Sequence, residues 1–542
     1  MLLIVALSFT GFQLWEAWQK DYAPHTTNPI TATADNSVPP TFTPPTTTIG
    51  EEGRTTPSIL KAGASASPAA SAKTIHAVSD LFDIQISTAG GTLESVSLRA
   101  YPTSTATGAP SIELLGTDAA RVFIQESGLT GSEHLPTHHD VYSVEQDSFT
   151  LAPDAEQLVV PLRWSAANGV TVEKRIILTR GSYIISIEHE VTNNSSEPLG
   201  ARLYEQLKRN DESSMRGMVY TFTGPALSTP EKPFTKFNFK EIKESPIAIS
   251  APSAWIGIIQ HYFVSALIPP ADEPYHYYSK ILDDSHYLVG FQGPEVSVLP
   301  SSKQTLSSRV YIGPKRHDII STVAPGLELS VDFGQLWFIA KPLFMTLRYI
   351  HDKTGNWGYA IILVTLLLKI MFFPLSAAGY RSMANMRRVQ PRMLALRERF
   401  ASDRAQLNQA MMKLYKDEKI NPLGGCLPIV VQIPVFIALY WVLLESVEMR
   451  QAPFILWVHD LSEKDPFFVL PLLMGISMWG QQKLNPAPID PMQAKVMQFM
   501  PIMFTVFFAF FPAGLVLYWF VNNMLSIAQQ WQITRAVEAK AS

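Results

Sequence analysis

The sequence predicts a polytopic α-helical membrane protein that carries a large all-β domain on the outer side of the membrane. Three observations point there. Long apolar segments crowd the C-terminal third and one more stands at the N-terminus, short alternating runs fill the region between, and the loops differ sharply in Lys and Arg content. Bulk composition agrees: of 542 residues, 47% are hydrophobic and only 17% charged, where an ordinary soluble domain carries about 25% charged residues.

Residues 1–19 (apolar over LLIVALSFTGFQLWEAW) are expected to form an uncleaved transmembrane anchor. No small-residue cleavage site follows the run, and Trp15 and Trp18 suit a membrane interface. Residues 20–74 are rich in Pro, Thr, Ser and Ala and read as a linker, because such a stretch cannot bury a core. Residues 75–330 contain FDIQIS, VTVEKRIIL, YIISIEHEV and SRVYIG, separated by turn signals such as AGG and NNSSEP, which predicts a β-sandwich. Residues 331–352 place Leu336, Ile339, Leu343, Leu347 and Ile350 at helical spacing with Lys341 and Arg348 between them, an amphipathic helix suited to the membrane interface.

The remaining core, 353–535, is expected to hold five spans at 357–375, 427–444, 467–480, 497–511 and 513–531, six with the N-terminal anchor. Two of these are shorter than the ~20 residues an ordinary span needs, which implies local thinning of the bilayer. Between the first two, residues 377–420 read as a helical hairpin broken at ASDR. The loop 376–425 carries ten Lys and Arg against four acidic residues, whereas 445–465 carries two against five. Positive-inside logic puts the first in the cytoplasm and the second outside, so both termini are cytoplasmic and the β domain is periplasmic. Residues 536–542 form a short cytoplasmic tail.

Lys369 is the residue with the sharpest chemistry. It sits in WGYAIILVTLLLKIMFFPL, a run without any acidic residue. A lone lysine near the middle of a span costs about 2.5–3.5 kcal/mol on insertion scales. Snorkelling to the headgroups is one reading, and a hydrated cavity is the other. Thr365 shares its helical face, and Gln432, Thr505, Asn522, Asn523, Gln529 and Gln530 add polar groups on other spans. Helix-to-helix hydrogen bonding accounts for neutral groups of this kind; a cation without an acidic partner favours the shared wet cavity. Elsewhere, Cys426 stands alone, so no intramolecular disulfide forms, and it reads as a small buried hydrophobe. The clusters His138, His139, Asp140 and Glu188, His189, Glu190 lack the spacing of a zinc site. No phosphate-binding GxxxxGK[ST] motif is present, no cofactor is expected, and the chain is not expected to be an enzyme.

Long blocks of the sequence carry a resemblance. NPLGGCLPIVVQIPVFIALYWVLLESVEMRQAPFILWVHDL, DPMQAKVMQFMPIMFTVFFAFFPAGLVLYWFVNN, VDFGQLWFIAKPLF and GNWGYAIILVTLLLK resemble the YidC/Oxa/Alb family of membrane protein insertases of Gram-negative bacteria, as do STAGGTLESVSLRAYP and WIGIIQHYF in the β region. The resemblance implies a five-helix insertase core around a positively charged hydrophilic groove, open to cytoplasm and lipid, and a periplasmic β-supersandwich similar to sugar mutarotases. It implies groove roles for Lys369, Thr365, Gln432, Thr505 and Trp519. It also implies that the hairpin, with Arg387, Arg388, Arg392, Arg397, Met383 and Met386, meets substrate, ribosome or targeting factors; for any single methionine a place in the packed hairpin seam is the commoner role. Implied partners are nascent membrane proteins, the SecYEG translocon and SecDF, the ribosome or signal recognition particle receptor, and the lipid bilayer. The family usually has Arg where this chain has Lys369, which keeps the charge and loses the guanidinium fork. Only Arg535 and Lys540 follow the last apolar segment, so ribosome docking is expected to rest on the hairpin.

The expected function is therefore insertion and folding of nascent inner-membrane proteins, alone or with the Sec translocon. The rival from another class is a small-solute transporter or channel with Lys369 as its anion site, for which the sequence offers no internal repeat.

Overall fold

The computed structural model describes residues 72–118, 121–210, 221–271, 273–282, 286–400, 403–418, 427–485 and 491–539. The expected N-terminal anchor, almost all of the linker, Cys426 and the last three residues lie outside the described residues.

The first half is two packed β-sheets. Strands β1 (Thr74–Val78), β2 (Phe82–Ser87), β3 (Thr92–Pro102), β4 (Ser111–Asp118), β5 (Arg121–Gly131), β6 (Ser148–Thr150), β7 (Gln157–Ser165), β8 (Val170–Thr179), β9 (Ile184–Asn193) and β10 (Leu199–Asn210) come first. They are followed by β11 (Gly224–Ser228), β12 (Thr235–Lys236), helix α1 (Phe239–Glu244), β13 (Ala248–Ala251), β14 (Trp255–Ile259), β15 (Phe263–Ile268), β16 (Tyr275–Ile281), β17 (His286–Gln292), β18 (Val296–Val298), β19 (Ser302–Pro314) and the single turn α2 (His317–Ile320). One sheet runs β13-β16-β17-β10-β5-β4-β3-β2-β1-β6 with β18 beside β10, and the other β12-β11-β14-β15-β19-β9-β8-β7. Alternation drives this: in β8 Val170, Val172, Ile176 and Leu178 point inward and polar residues outward, and β9 does the same with Ile185, Ile187 and Val191. The core they enclose includes Ile84, Phe123, Trp255 and Phe291.

Besides Asn193 at the end of β9, two inward positions in mid-strand break the pattern. Lys174 of β8 and His189 of β9 pair across the strands and are fully buried. Lys174 Nζ donates to the Gly90 carbonyl at 2.6 Å and to Ser127 Oγ at 2.8 Å. Gln125 and Gln206 donate to the buried carboxylates Glu205 and Glu126 at 2.8 and 2.7 Å. Burial draws the Lys174 ammonium down to about 7 and pushes the Glu205 carboxyl up to about 7. Glu188 and Glu190, flanking His189, instead hold Arg175.

The second half is helical: α3 (Trp337–Thr354), α4 (Trp357–Met371), α5 (Phe373–Arg399), α6 (Arg404–Asp417), α7 (Leu427–Glu445), α8 (Val469–Leu484), α9 (Pro491–Phe508) and α10 (Ala513–Glu538). Gly355, left-handed at φ 67°, ends α3, and Asn356 caps α4 by accepting from the Tyr359 amide. The chain expected to run as one span over 357–375 stops at Met371 and bends by 68° into α5. Pro374 is the cause: it has no amide to donate and crowds the residue before it. The segment expected at 467–480 begins at Val469, because Phe468 is left-handed at φ 55°, and 497–511 ends at Phe508. Among the described residues no single helix is long and apolar enough to cross a membrane; α4 and α5 meet that test only as the bent pair.

Ala360, Ile361, Val364, Ala438, Leu439, Val442, Leu515 and Val516 fill the bundle core. Outside it, Leu363, Leu367, Leu472, Ile476, Phe499, Met503 and Val506 are exposed. The two halves are joined by polar contacts. Lys315 Nζ reaches Glu445 Oε2 at 3.0 Å, His261 Nε2 meets the Leu444 carbonyl at 2.9 Å, and Gln451 donates to the Pro102 carbonyl at 2.9 Å.

Candidate functional site

Lys369 lies in the last turn of α4 and Ser526 midway along α10. Lys369 Nζ donates to Ser526 Oγ at 2.7 Å, and Ser526 Oγ donates to the Asn522 carbonyl at 2.7 Å. A hydroxyl has one proton, so Ser526 offers the ammonium a lone pair only. Among the described residues no carboxylate pairs with Lys369.

These groups open on a cavity of about 280 Å³ whose walls include Lys369, Gln432, Trp519, Asn522, Asn523 and Ser526. Gln432 of α7 donates to Asn522 Oδ1 at 2.5 Å and to Tyr518 Oη at 3.3 Å, tying α7 to α10. Asn523 reaches Ser477 of α8 at 3.3 Å. Five helices, α4, α5, α7, α8 and α10, thus contribute polar side chains to one volume, among them Tyr380 of α5 and Gln482 of α8, which can solvate a polar segment of a ligand inside an otherwise apolar bundle.

The structure brings Lys369, Gln432 and Trp519 to this cavity. Thr365 lines a narrow extension of about 10 Å³ beside Lys369 and Gln432, but its hydroxyl donates to the Ile361 carbonyl at 2.6 Å and the residue is buried. Thr505 is not among the lining residues. Its Oγ1 donates to the Pro501 carbonyl at 2.7 Å and lies where a Cβ on Gly475 would come within 1.9 Å, so it serves the α8–α9 contact. The Trp519 ring packs edge-on against Phe436 at 4.9 Å, and its indole N–H is buried without an acceptor among the described residues.

The hairpin residues separate. Arg388 and Arg392 both hold Glu418, at 3.1 and 2.6 Å. Met386 packs with Met411, Leu414 and Tyr415 around Val389 and Met393, in the α5–α6 seam. Met383 instead faces the cavity and packs against Ala377, Tyr380 and Ile533. Arg387 is exposed, and Arg397 is half-buried. Ser526 and Tyr380 escaped the sequence reading. Ser526 follows Asn522 by four and so shares its helical face, a signal hidden among the apolar residues of MLSIA.

Residues 74–346 match the family described as YidC periplasmic domain and residues 349–540 the family described as 60Kd inner membrane protein. The membrane protein insertase YidC of Methylococcus capsulatus is 46% identical over 97% of this chain and 96% of its own length. That of Thioalkalivibrio sulfidiphilus is 44% identical over 99% and 98%. A solved structure described as an active YidC insertase aligns with 85% of this chain and 92% of its own, at 17% identity and a TM-score of 0.40; that likeness is too loose to bear on the assignment, which rests on the sequences. The chain belongs to the YidC family of membrane protein insertases: a non-enzymatic inner-membrane protein with a periplasmic β domain of two sheets and a helical C-terminal region, acting on nascent membrane proteins in the lipid bilayer.

Proposed function

We propose that the cavity at Lys369 is the inner part of a positively charged hydrophilic groove through which substrate segments enter the membrane. The observation that carries this reading is the ammonium of Lys369, bonded to a neutral hydroxyl inside a bundle whose outer face is apolar. An acidic residue of an incoming segment gains a charge-assisted hydrogen bond there. Gln432, Asn522 and Asn523 replace part of the water that the segment's backbone gives up, and apolar flanks then partition into lipid, which drives release.

In this reading the core and the N-terminal anchor make six spans, with both termini in the cytoplasm. The exposed Leu363, Leu367, Phe499 and Met503 face acyl chains. Helix α4, at 15 residues, is about 22 Å long against a hydrocarbon core of about 30 Å. The bilayer beside it is therefore thinned, which shortens the path of a translocated segment. Thr365 and Trp519 shape the groove wall, and Thr505 supports it from behind. The hairpin, through the exposed Arg387 face, receives the ribosome or the signal recognition particle receptor, and SecYEG with SecDF joins the protein on larger substrates.

The test is insertion of a single-span substrate with an acidic extracellular tail into proteoliposomes that hold only this protein. Lys369→Ala should abolish insertion and Lys369→Arg should retain it. Equal insertion by all three proteins would sink the charged-groove mechanism.

A further inference from the structure

A second cavity, of about 340 Å³, lies where the β domain meets the helices. Arg316, from the segment after β19, joins Arg348 and Asp352 of α3 and Glu448 and Arg450 of the segment after α7 in its walls. His351 stacks on Trp357 at 4.1 Å between ring centres, which gives one side a flat aromatic wall. None of these residues takes part in the groove around Lys369.

The charges of this site balance. Three guanidiniums face two carboxylates in the walls, and a third carboxylate, Asp318, bridges Arg316 and Arg348 from behind at 2.7 and 3.1 Å. A bare anion would unbalance such a site, whereas a ligand with one negative and one positive group would not. The arginines retain donors beyond those that Arg316 and Arg348 spend on Asp318 and that Arg450 spends on the Pro102 carbonyl, since each guanidinium has five. Asp352 is largely exposed, and its one polar contact among the described residues, Oδ1 to His351 Nδ1 at 3.4 Å, leaves its second carboxylate oxygen to meet a cation.

Placement along α3 narrows the ligand. Phe338, Met345, Tyr349 and Asp352 fall on one helical stripe, and the first three are exposed to 57%, 59% and 65%. An apolar stripe thus runs about 16 Å along the helix, from Phe338 to Tyr349, and Asp352 one turn further lies at the charged cavity. That layout matches a membrane surface: tails beside the stripe, headgroup in the cavity.

We propose that the cavity binds the headgroup of a phospholipid that carries a phosphodiester and a primary ammonium. The arginines take the phosphate, and Asp352 and Glu448 take the ammonium. The inference rests on α3 lying at the membrane surface, and it is independent of the groove.

The experiment uses the full-length protein in detergent, presented with equal amounts of phosphatidylethanolamine, phosphatidylcholine and phosphatidylglycerol and read by native mass spectrometry. One charge-assisted hydrogen bond is worth about a tenfold preference, so phosphatidylethanolamine should be retained about tenfold over each of the others. Asp352→Asn, at an exposed position that does not threaten folding, should erase the preference over phosphatidylglycerol. Equal retention of the three lipids, or an unchanged preference in Asp352→Asn, would overturn the proposal. Displacement of the lipid by millimolar inorganic phosphate or phosphoethanolamine would also overturn it, in favour of a soluble-anion site. A fluorophore at Met345→Cys in a Cys426→Ala background, quenched by lipids brominated on their tails, separates the two premises. Quenching without headgroup preference defeats the lipid site alone, and absence of quenching defeats the surface position of α3 and the lipid site with it.

Discussion

Lys315 and Glu445 form an ion pair at 3.0 Å with side chains only 2% and 6% exposed, one from the end of the β domain and the other from the end of α7. Burial lowers the Lys315 ammonium below its ordinary range, against the pull of Glu445. Removing one partner leaves a buried charge without compensation, a loss of about 3–5 kcal/mol. Glu445→Ala should therefore loosen the junction and lower the thermal midpoint of the full-length protein. Lys315→Met combined with Glu445→Leu should recover most of it. A double variant no better than the single one would show that the pair contributes more than mutual neutralisation.

The hydroxyl of Ser526 is the acceptor for Lys369, and its removal deprives the ammonium of that bond. Ser526→Ala should reduce insertion of an acidic-tailed substrate by about two- to tenfold, the value of one hydrogen bond of about 0.5–1.5 kcal/mol. The loss should be smaller than that from Lys369→Ala, and substrates without acidic residues should be unaffected. Proteoliposome insertion rates for the two substrate types decide it.

Gly475 and Thr505 set the distance between α8 and α9. A Cβ at 475 would come within 1.9 Å of Thr505 Oγ1, so Gly475→Ala should force the helices apart at a cost of about 1–3 kcal/mol. Thr505→Ala should relieve that cost in the double variant, a non-additivity visible in thermal unfolding.

The buried carboxyl of Glu205 gives the β domain a pH dependence. Its folded value, about 7, lies above its ordinary 4.5. The native state thus holds a proton that the unfolded chain releases. Its contribution is complete below pH 4.5 and is lost as pH rises through about 7, up to about 3 kcal/mol in all. His138, drawn by burial down to about 3, acts in the opposite sense: its contribution is present above 6.5 and lost as pH falls towards 3. Comparison with Glu205→Gln at the same pH isolates the carboxyl. Hydrogen exchange in β10 should slow in wild type relative to the variant at pH 5, and that advantage should vanish at pH 7.5. A constant ratio would refute the assignment.

The β domain was legible because period-two alternation in β8 and β9 leaves little choice of register. The roles of Lys174 and His189 were not, since alternation marks an inward slot without revealing whether a polar residue there finds partners. In the helical half, apolar runs mark α4, α7, α8, α9 and α10; the break at Phe372 follows from Pro374, whereas that at Phe468 rests on a left-handed backbone inside its run. Lys369 and Gln432 announced themselves as polar groups in apolar surroundings. Thr505 looked the same in sequence and turned to its own helix, because a threonine hydroxyl can bond the carbonyl four residues back.

The bond between Lys369 and Ser526 occupies one of the three protons on the ammonium, while the hydroxyl's own proton is committed to the Asn522 carbonyl. Two protons therefore stay available towards the cavity with the amine already held in place. On the groove reading proposed above, a carboxylate would be received without breaking the Lys369–Ser526 bond and handed on without remaking it. In the proposed groove the residue would serve as a fixed peg occupied in turn, and passage of successive acidic groups would call for no rearrangement of α4 or α10.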